Sequence, residues 1–421
     1  MRFTINIQKF LQALEQAVAV AATVDKEAGE EYTTDKLSLG TTKNELFIIA
    51  LSTTAAIKIT LSNDDGYVCH HIGHVTTTAS ELLRQVAALS AAEKLELETS
   101  FKGLVVRTPS DPDTMSVLRS FEVPIQLLPL AKSYSRTITI DRTTFLHGLK
   151  RVGFAMAYEE TKKKFMCLFF EATKDSLRFV AGSGARFVVD DMTGQKLTNA
   201  KSRVSVIFPK KGIAQIVKVF KNVESEQLTV KYANESVANK TPAQITVECA
   251  GTTLAWYGID TSIKYPDVNI ILKHLYPYVA TTTVEDWRLP AAAILATMQG
   301  PEVIHNTRVQ ADLLHGYLTL TTNARTHLQE KVHFALGPFQ AAPDEKIDAP
   351  SFTFNTWYLK EVLSRGNKKG KVTFHFENQE QSSESDNGRR MKPILVEFPE
   401  AHLADGSKEQ FHMFFSVSTK W

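Results

Sequence analysis

Little in this sequence points to export or to a membrane. Among 421 residues there are three cysteines, Cys69, Cys167 and Cys249, widely spaced and with no Cys-x-x-Cys, which excludes a disulfide framework and suits a reducing cytosol. No apolar run approaches the roughly 20 residues that a membrane helix requires. The first residues, Met1 to Ile7, alternate like a strand and lack the apolar stretch of a signal peptide, so a cytoplasmic location with no membrane partner is expected. Charge of one sign is also lacking: 48 Lys and Arg stand against 46 Asp and Glu, a net of +2. Any nucleic-acid binding must therefore come from charge segregated onto one face. What is present, 43% hydrophobic and 22% charged residues, is ordinary for a globular chain of two to four domains.

Signals for catalysis are equally sparse. Cys69-His70-His71-Ile72-Gly73-His74 is the one cluster of metal-ligand types, and as a strand it puts Cys69 and His71 on one face and His70 on the other, so the side chains do not simply converge. Gly182-Ser183-Gly184 lacks the following glycine and lysine of a phosphate loop and reads as a hairpin turn. Asp64-Asp65-Gly66 and Asp111-Pro112-Asp113 read as turns and not as a catalytic carboxylate pair. No catalytic residue is assigned, no cofactor and no metal are expected, and the chain reads as a non-enzyme.

The informative feature is a threefold internal repeat. Phe3-x-Ile5 precedes Phe10-Leu11-x-x-Leu14; Ile138-x-Ile140 precedes Phe145-Leu146-x-x-Leu149; Trp287-x-Leu289 precedes Ile294-Leu295-x-x-Met298. Each copy switches from a strand period of two to a helical spacing. About 70 residues into each copy a second such unit follows: Val75 into Leu82-Leu83-x-x-Val86, Val204-x-Val206 into Ile213-x-x-Ile216-Val217, and Phe352-x-Phe354 into Leu359-x-x-Val362-Leu363. Between them Leu228-x-Val230-x-Tyr232, Ile245-x-Val247-x-Cys249, Leu318-x-Leu320, Val332-x-Phe334-x-Leu336 and Val372-x-Phe374-x-Phe376 alternate as half-buried strands. The expected fold class is α+β, with two helices packed on antiparallel sheets in each of three tandem domains, 1–133, 134–279 and 280–421. The polar stretches 341–350 and 379–390 read as surface loops.

In domain order the chain resembles the β sliding clamp of bacterial DNA polymerase III. The likeness is carried by Phe154-Ala155-Met156-Ala157-Tyr158, Cys167-Leu168-Phe169-Phe170-Glu171, Leu177 through Phe187, Val206-Ile207-Phe208-Pro209-Lys210-Lys211-Gly212 and Tyr265-Pro266-Asp267. The resemblance implies a processivity factor without catalysis of its own: a head-to-tail homodimeric ring, helices inward, around double-stranded DNA. Met115 and Val117 are at positions resembling the domain-one interface strand.

A ring that slides needs cations that contact phosphates without reading bases. Lys150, Arg151, Lys162, Lys163, Lys164, Lys210, Lys211, Lys218 and Lys221 are the candidates, since Ile213, Ile216, Val217 and Phe220 form an apolar stripe that leaves Lys211 and Lys218 on another face. In domain one the family's basic loop is replaced by a segment crowded with Asp25, Glu27, Glu30 and Glu31. The resemblance further implies a pocket for short peptides of a DNA polymerase and a clamp loader, walled by Phe165, Gly182, Ala185, Arg186, Phe187, Pro266 and Ile271 and closed by Phe415, Val417, Thr419 and Trp421. The family's usual histidine is Ala185 here, its Thr-Asp is Gly182-Ser183, and its terminal motif is Val417-Ser418-Thr419-Lys420-Trp421, which implies a different peptide preference. Such divergence is expected of a phage, plasmid or otherwise atypical clamp. Two other readings stay open at this level: a clamp-like peptide-binding adaptor or decoy without ring closure, and a metal-dependent hydrolase built around Cys69 to His74.

Overall fold

A computed structural model describes residues 1–21, 35–52, 54–121, 130–131, 133–158, 164–184, 186–195, 197, 203–234, 243–257, 264–274, 276, 278–285, 306–312, 317–322, 329–333, 351–355, 357–358, 361, 364, 370–376, 393–403 and 406–416. The chain divides into two compact units, Met1–Lys150 with Lys196–Ile263, and Arg151–Gln195 with Lys264–Trp421.

In the first unit the strand Arg2–Asn6 buries Phe3 and Ile5, and the Asn6 side chain then accepts hydrogen bonds from the amides of Gln8 (3.0 Å) and Lys9 (3.1 Å). This cap starts helix α1 (Ile7–Val18), whose Phe10, Ala13, Leu14 and Ala17 form the buried stripe. Helix α2 (Ala79–Ala88) buries Leu82 and Val86. The same plan recurs one repeat later. Strand Arg136–Asp141 leads into helix α3 (Arg142–Gly153), where the Asp141 carboxylate accepts from the Thr144 amide at 2.7 Å, and strand Val204–Pro209 leads into helix α4 (Lys210–Phe220).

Two antiparallel sheets complete this unit. One runs in the order Val68–His71, Arg2–Asn6, Lys94–Ser100, Gly103–Thr108, Asp111–Leu118. The other runs Ser120–Phe121, Gly73–Thr78, Lys36–Thr41, Glu45–Leu51, Ala55–Ser62, Thr252–Tyr257, Gln244–Cys249, Gln227–Ala233, Arg136–Asp141. Its centre is a joint between repeats: Ala55–Ser62 of the first pairs with Thr252–Tyr257 of the second, Ala55 opposite Trp256 and Ile59 opposite Thr252. At its other end the chain from Asp111 to Phe121 forms the outer edge of both sheets, with no strand beyond it among the described residues.

The second unit has a joint of the same kind. Cys167–Ala172, Ser176–Gly182 and Arg186–Thr193 continue into Lys408–Ser416, Pro393–Glu397, Lys371–Phe376 and Tyr278–Thr283, with Arg186 opposite Phe415 and Thr193 opposite Lys408. A separate sheet is ordered Gln329–His333, Tyr317–Thr322, Asn306–Asp312, Ser351–Asn355. Short helix α5 (Asn269–Leu272) is tied to the first of these sheets by Arg178, which donates to both oxygens of Asp191 (2.6 and 2.9 Å) and to Asn269 Oδ1 (2.7 Å).

The alternating segments around 228–232, 245–249, 318–320 and 372–376 are strands as expected, and Gly182 to Gly184 form a hairpin turn, with Gly184 at φ +87° and the Ser183 amide donating to the Arg186 carbonyl at 3.0 Å. Two readings are corrected. Asp111 opens a strand and is not in a turn; the reversal comes just before it, and a register shift at Thr108 absorbs the extra residues. On α4 the buried stripe uses Val219, while Val217 is only half-buried, because α1 packs against the Val219 side of the helix. Of the helical segments expected near 294–298 and 359–363, the first lies outside the described residues and the second is helical at residues 357–358, 361 and 364; the polar stretches 341–350 and 379–390 also lie outside the described residues.

Candidate nucleic-acid interface and peptide-binding surface

Helix α4 carries the clearest basic face. Its buried residues, Ile213, Ile216, Val219 and Phe220, leave Lys211 and Lys218 exposed, and Lys221 follows, also exposed, at the C-cap. Lys210, at the first position, is half-buried. The seam between α1 and α4 is polar: Gln12 donates to the Asn222 carbonyl (2.7 Å), Gln16 to the Val219 carbonyl (3.0 Å), and Lys9 pairs with Glu224 (2.9 Å). Side-chain amides thus satisfy carbonyls at the C-terminal end of α4, which the helix itself leaves open. Beside this seam lies a cavity of about 330 Å³ lined in part by Gln12, Glu15, Leu83, Lys218 and Lys221. In the first repeat Arg84 is exposed on α2, a cation that the sequence does not single out because no second basic residue accompanies it on that helix.

The other basic candidates differ. Lys150 is exposed on α3, and Lys164 is exposed with its ammonium 5.0 Å from the Phe165 ring centre. Arg151 is committed inside the fold: it pairs with buried Glu409 at 3.2 Å and lies 4.3 Å over the Phe411 ring. Lys162 and Lys163 lie outside the described residues.

On the second unit a buried base of Val180, Val189, Val268, Leu395 and Phe414 carries a half-buried apolar layer of Phe169, Phe187, Tyr265, Ile271, Leu272 and Tyr276. Phe187 and Ile271 are among the residues expected at the peptide pocket; Tyr265, Leu272 and Tyr276 are not, because single aromatic and aliphatic residues on a connecting segment carry no periodicity. Phe165 meets Phe187 edge to face at 5.7 Å, and Phe169 stacks on Tyr265 at 5.7 Å. Gly182 permits this packing, since a Cβ there would be 2.4 Å from the Phe187 ring. Pro266 is half-buried, and Phe415 is buried with Tyr358 stacked 5.0 Å away. Arg186 is not a free cation of this surface. It pairs with Glu361, donates to the Phe154 carbonyl (3.0 Å) and lies over the Phe154 and Tyr358 rings (5.6 and 5.3 Å). Ala185, Val417, Thr419 and Trp421 lie outside the described residues.

Met115 and Val117 stand on the open edge strand, 59% and 45% exposed, while neighbouring Leu118 is buried. Cys69 to His71 are in strand Val68–His71, where His70 Nε2 is 3.4 Å from Thr4 Oγ1; these side chains and His74 do not gather into a ligand set among the described residues. Burial pushes the Cys167 thiol up to about 12 and raises that of Cys249, so neither is a ready nucleophile at neutral pH. Among the described residues no helix is long and apolar enough to cross a membrane.

Residues 139–267 match the family described as DNA polymerase III beta subunit, central domain. No curated protein matches the chain by sequence. Among solved structures, the DNA polymerase III beta subunit of Thermotoga maritima is similar over 100% of both chains at 12% identity, with a TM-score of 0.77. The sliding clamp of Caulobacter crescentus (18% identity, TM-score 0.76) and that of Pseudomonas aeruginosa bound to griselimycin (17%, 0.76) are each similar over 99% of both chains. The chain therefore has the fold of the bacterial β sliding clamps over its full length, and its residues 139–267 match the central domain of the DNA polymerase III beta subunit.

Proposed function

We propose that this chain is a DNA sliding clamp: three clamp domains, 1–133, 134–279 and 280–421, joined head to tail with a second copy into a ring that encircles double-stranded DNA without reading its sequence. The observation that carries this reading is the way repeats are joined. Twice within the chain the outer strand of one repeat pairs with that of the next, and the edge from Asp111 to Phe121 is left without a neighbouring strand among the described residues. An open edge of this length is a liability unless a partner strand covers it, and a head-to-tail dimer removes it. Exposed Lys150, Lys164, Lys211, Lys218, Lys221 and Arg84 suit loose phosphate contact.

The apolar layer of Phe187, Tyr265, Ile271 and their neighbours is the surface on which polymerase and clamp-loader peptides dock. Burial of one or two apolar anchors contributes about 1.5–3 kcal/mol each, which suits partners that exchange. The clamp is an accessory subunit with no catalytic role or cofactor, and it works in the cytoplasm beside the replication machinery.

The test is retention on circular against linearised DNA, at salt high enough to screen phosphate contacts, after loading by a clamp loader. Retention on circles with loss from free ends is expected. Loss from both, with loading shown competent on a control clamp, refutes encirclement and leaves the adaptor reading.

A further inference from the structure

On the long sheet of the second unit, the face that carries the apolar surface turns polar beyond it. Side chains two apart on a strand share a face. The pairing sets Phe187, Val189 and Asp191 opposite Phe414, His412 and Gln410, and on the next strand Leu395 and Glu397 oppose Phe414 and His412. Val189, Leu395 and Phe414 are in the base of the apolar surface, so His412 and Glu397 continue it directly. Glu397 accepts from His375 Nε2 at 3.1 Å and from the Gln410 amide at 2.6 Å, and His412 Nε2 stands 3.8 Å from the oxygen that Gln410 holds. Both ends of this cluster touch the surface: the His375 ring lies 5.9 Å from that of Tyr276, and the buried His412 ring is nearly parallel to Phe414 at 6.5 Å.

This setting fits a neutral His412. Its Nδ1 is buried with no hydrogen-bond partner among the described residues, and 3.8 Å at Nε2 is beyond hydrogen-bond reach. A proton added to the ring strands a donor in apolar surroundings, a cost that only movement of the ring relieves. Burial holds the His412 pKa below the usual histidine value; Glu397 and Asp191 act against this, and Arg178 and His375 add to it. These are the charged and titratable groups that face the ring from the neighbouring strands, and Arg178 is itself held by Asp191. We propose that His412 makes peptide docking sensitive to pH: its protonation displaces the ring from Phe414 and Val189 and loosens the base on which the peptide rests. The proposal rests on the docking reading and goes beyond it by naming how docking is regulated.

The packed arrangement is fully present above the ordinary histidine range and is lost as pH falls through the lower value that the folded chain gives this ring. A bound peptide removes further water from the surface, so docking and protonation oppose one another, and affinity falls on acidification by up to about tenfold per pH unit. The experiment measures, by calorimetry on the full chain, the affinity of a capped hexapeptide that contains Leu-Phe and no titratable group, from neutral pH down to the lowest pH at which circular dichroism is unchanged. Progressive weakening is expected in the parent and a flat profile in His412→Gln, with His412→Leu as the second variant should the first misfold. Proton NMR of the His412 ring should show it titrating lower still with peptide bound. Parallel profiles in parent and variant, or a ring whose titration the peptide does not move, overturn the proposal and leave docking standing. A folded chain that binds the peptide at no pH overturns the docking reading as well.

Discussion

Gln16 is the most informative residue to change, because one buried side chain links α1 of the first repeat to α4 and to a joint strand of the second. Its amide donates to the Val219 carbonyl at 3.0 Å, its oxygen lies 3.5 Å from the Thr252 hydroxyl, and the residue is 7% exposed. Gln16→Leu keeps the volume and leaves a buried carbonyl in the last turn of α4 with no donor. Stranding such an acceptor costs about 1–3 kcal/mol, and the added apolar burial of leucine offsets about 1 kcal/mol. A net loss of about 1–2 kcal/mol corresponds to roughly 2–8 °C for a cooperative unit of this size. Scanning calorimetry of the full chain should show the loss, and urea unfolding should show the same loss with m unchanged. The control is Gln12→Leu, whose bond to the Asn222 carbonyl is exposed and replaceable by water, so its effect should be less than half as large. A Gln16→Leu chain melting within about 1 °C of the parent would refute the reasoning.

Three further outcomes are expected. Changing Lys211, Lys218 and Lys221 together to alanine should flatten the dependence of log affinity on log salt for a short duplex by about 0.9 for each phosphate that α4 no longer neutralises; an unchanged slope in fluorescence anisotropy would remove α4 from the DNA face. Gly182→Ala should weaken the binding of an apolar clamp-binding peptide about tenfold or more, read by calorimetry, since the new Cβ displaces the Phe187 ring and meets the Arg186 carbonyl at 2.8 Å; equal affinity would show that the ring is not part of the surface. At Asp190, burial and then the neighbouring Glu409 raise the carboxyl well above its usual range, so its contribution is fully present below the unfolded-state pKa and is lost as pH rises through the folded value. Asp190→Asn should therefore gain stability relative to the parent as pH rises above the ordinary carboxylate range, and melting curves that stay parallel as pH rises would contradict the assignment.

The repeat was legible because its signals are local. Phe10 and Phe145 mark the same helical position, and Asn6 and Asp141 are capping residue types at the same place before α1 and α3. Apolar alternation placed the strands, and an exposed Lys211 and Lys218 followed from the stripe opposite them. What could not be read is what depends on residues far along the chain. Arg151 reads as an available cation in the sequence and Arg186 as part of a pocket wall, yet Glu409 and Glu361 hold them, and nothing near residue 151 or 186 announces a carboxylate from the third repeat. Asp111-Pro112-Asp113 has turn composition, but edge strands tolerate proline and acidic residues that an inner strand does not, so composition alone could not separate turn from edge. Val219 outranks Val217 in burial because α1 lies on its side, a packing choice invisible to helical periodicity.

The two joints are of the same kind but differ in chemistry, and the difference bears on what each repeat boundary can do. At the first, Ala55 and Ala56 face Trp256 and Ala255, and all four are buried; small residues on one strand make room for the indole, whose Nε1 donates to Gln215 at 2.9 Å. None of these four side chains titrates. At the second, Asp190 and Asp191 face Phe411 and Gln410, Arg178 and Arg151 bring opposing charge, and Glu409 lies buried beside them. Breaking one member of a buried charge group strands the rest, so this joint tolerates fewer substitutions than the first even where its backbone hydrogen bonds are the same. It also sits beneath the aromatic surface: Val189 is in the base of that surface, while Asp190 and Asp191 continue the same strand. A partner peptide on Phe187 and Tyr265 would thus rest on the joint that carries buried charge, whereas the lysines of α4 lie beside the one packed around an indole.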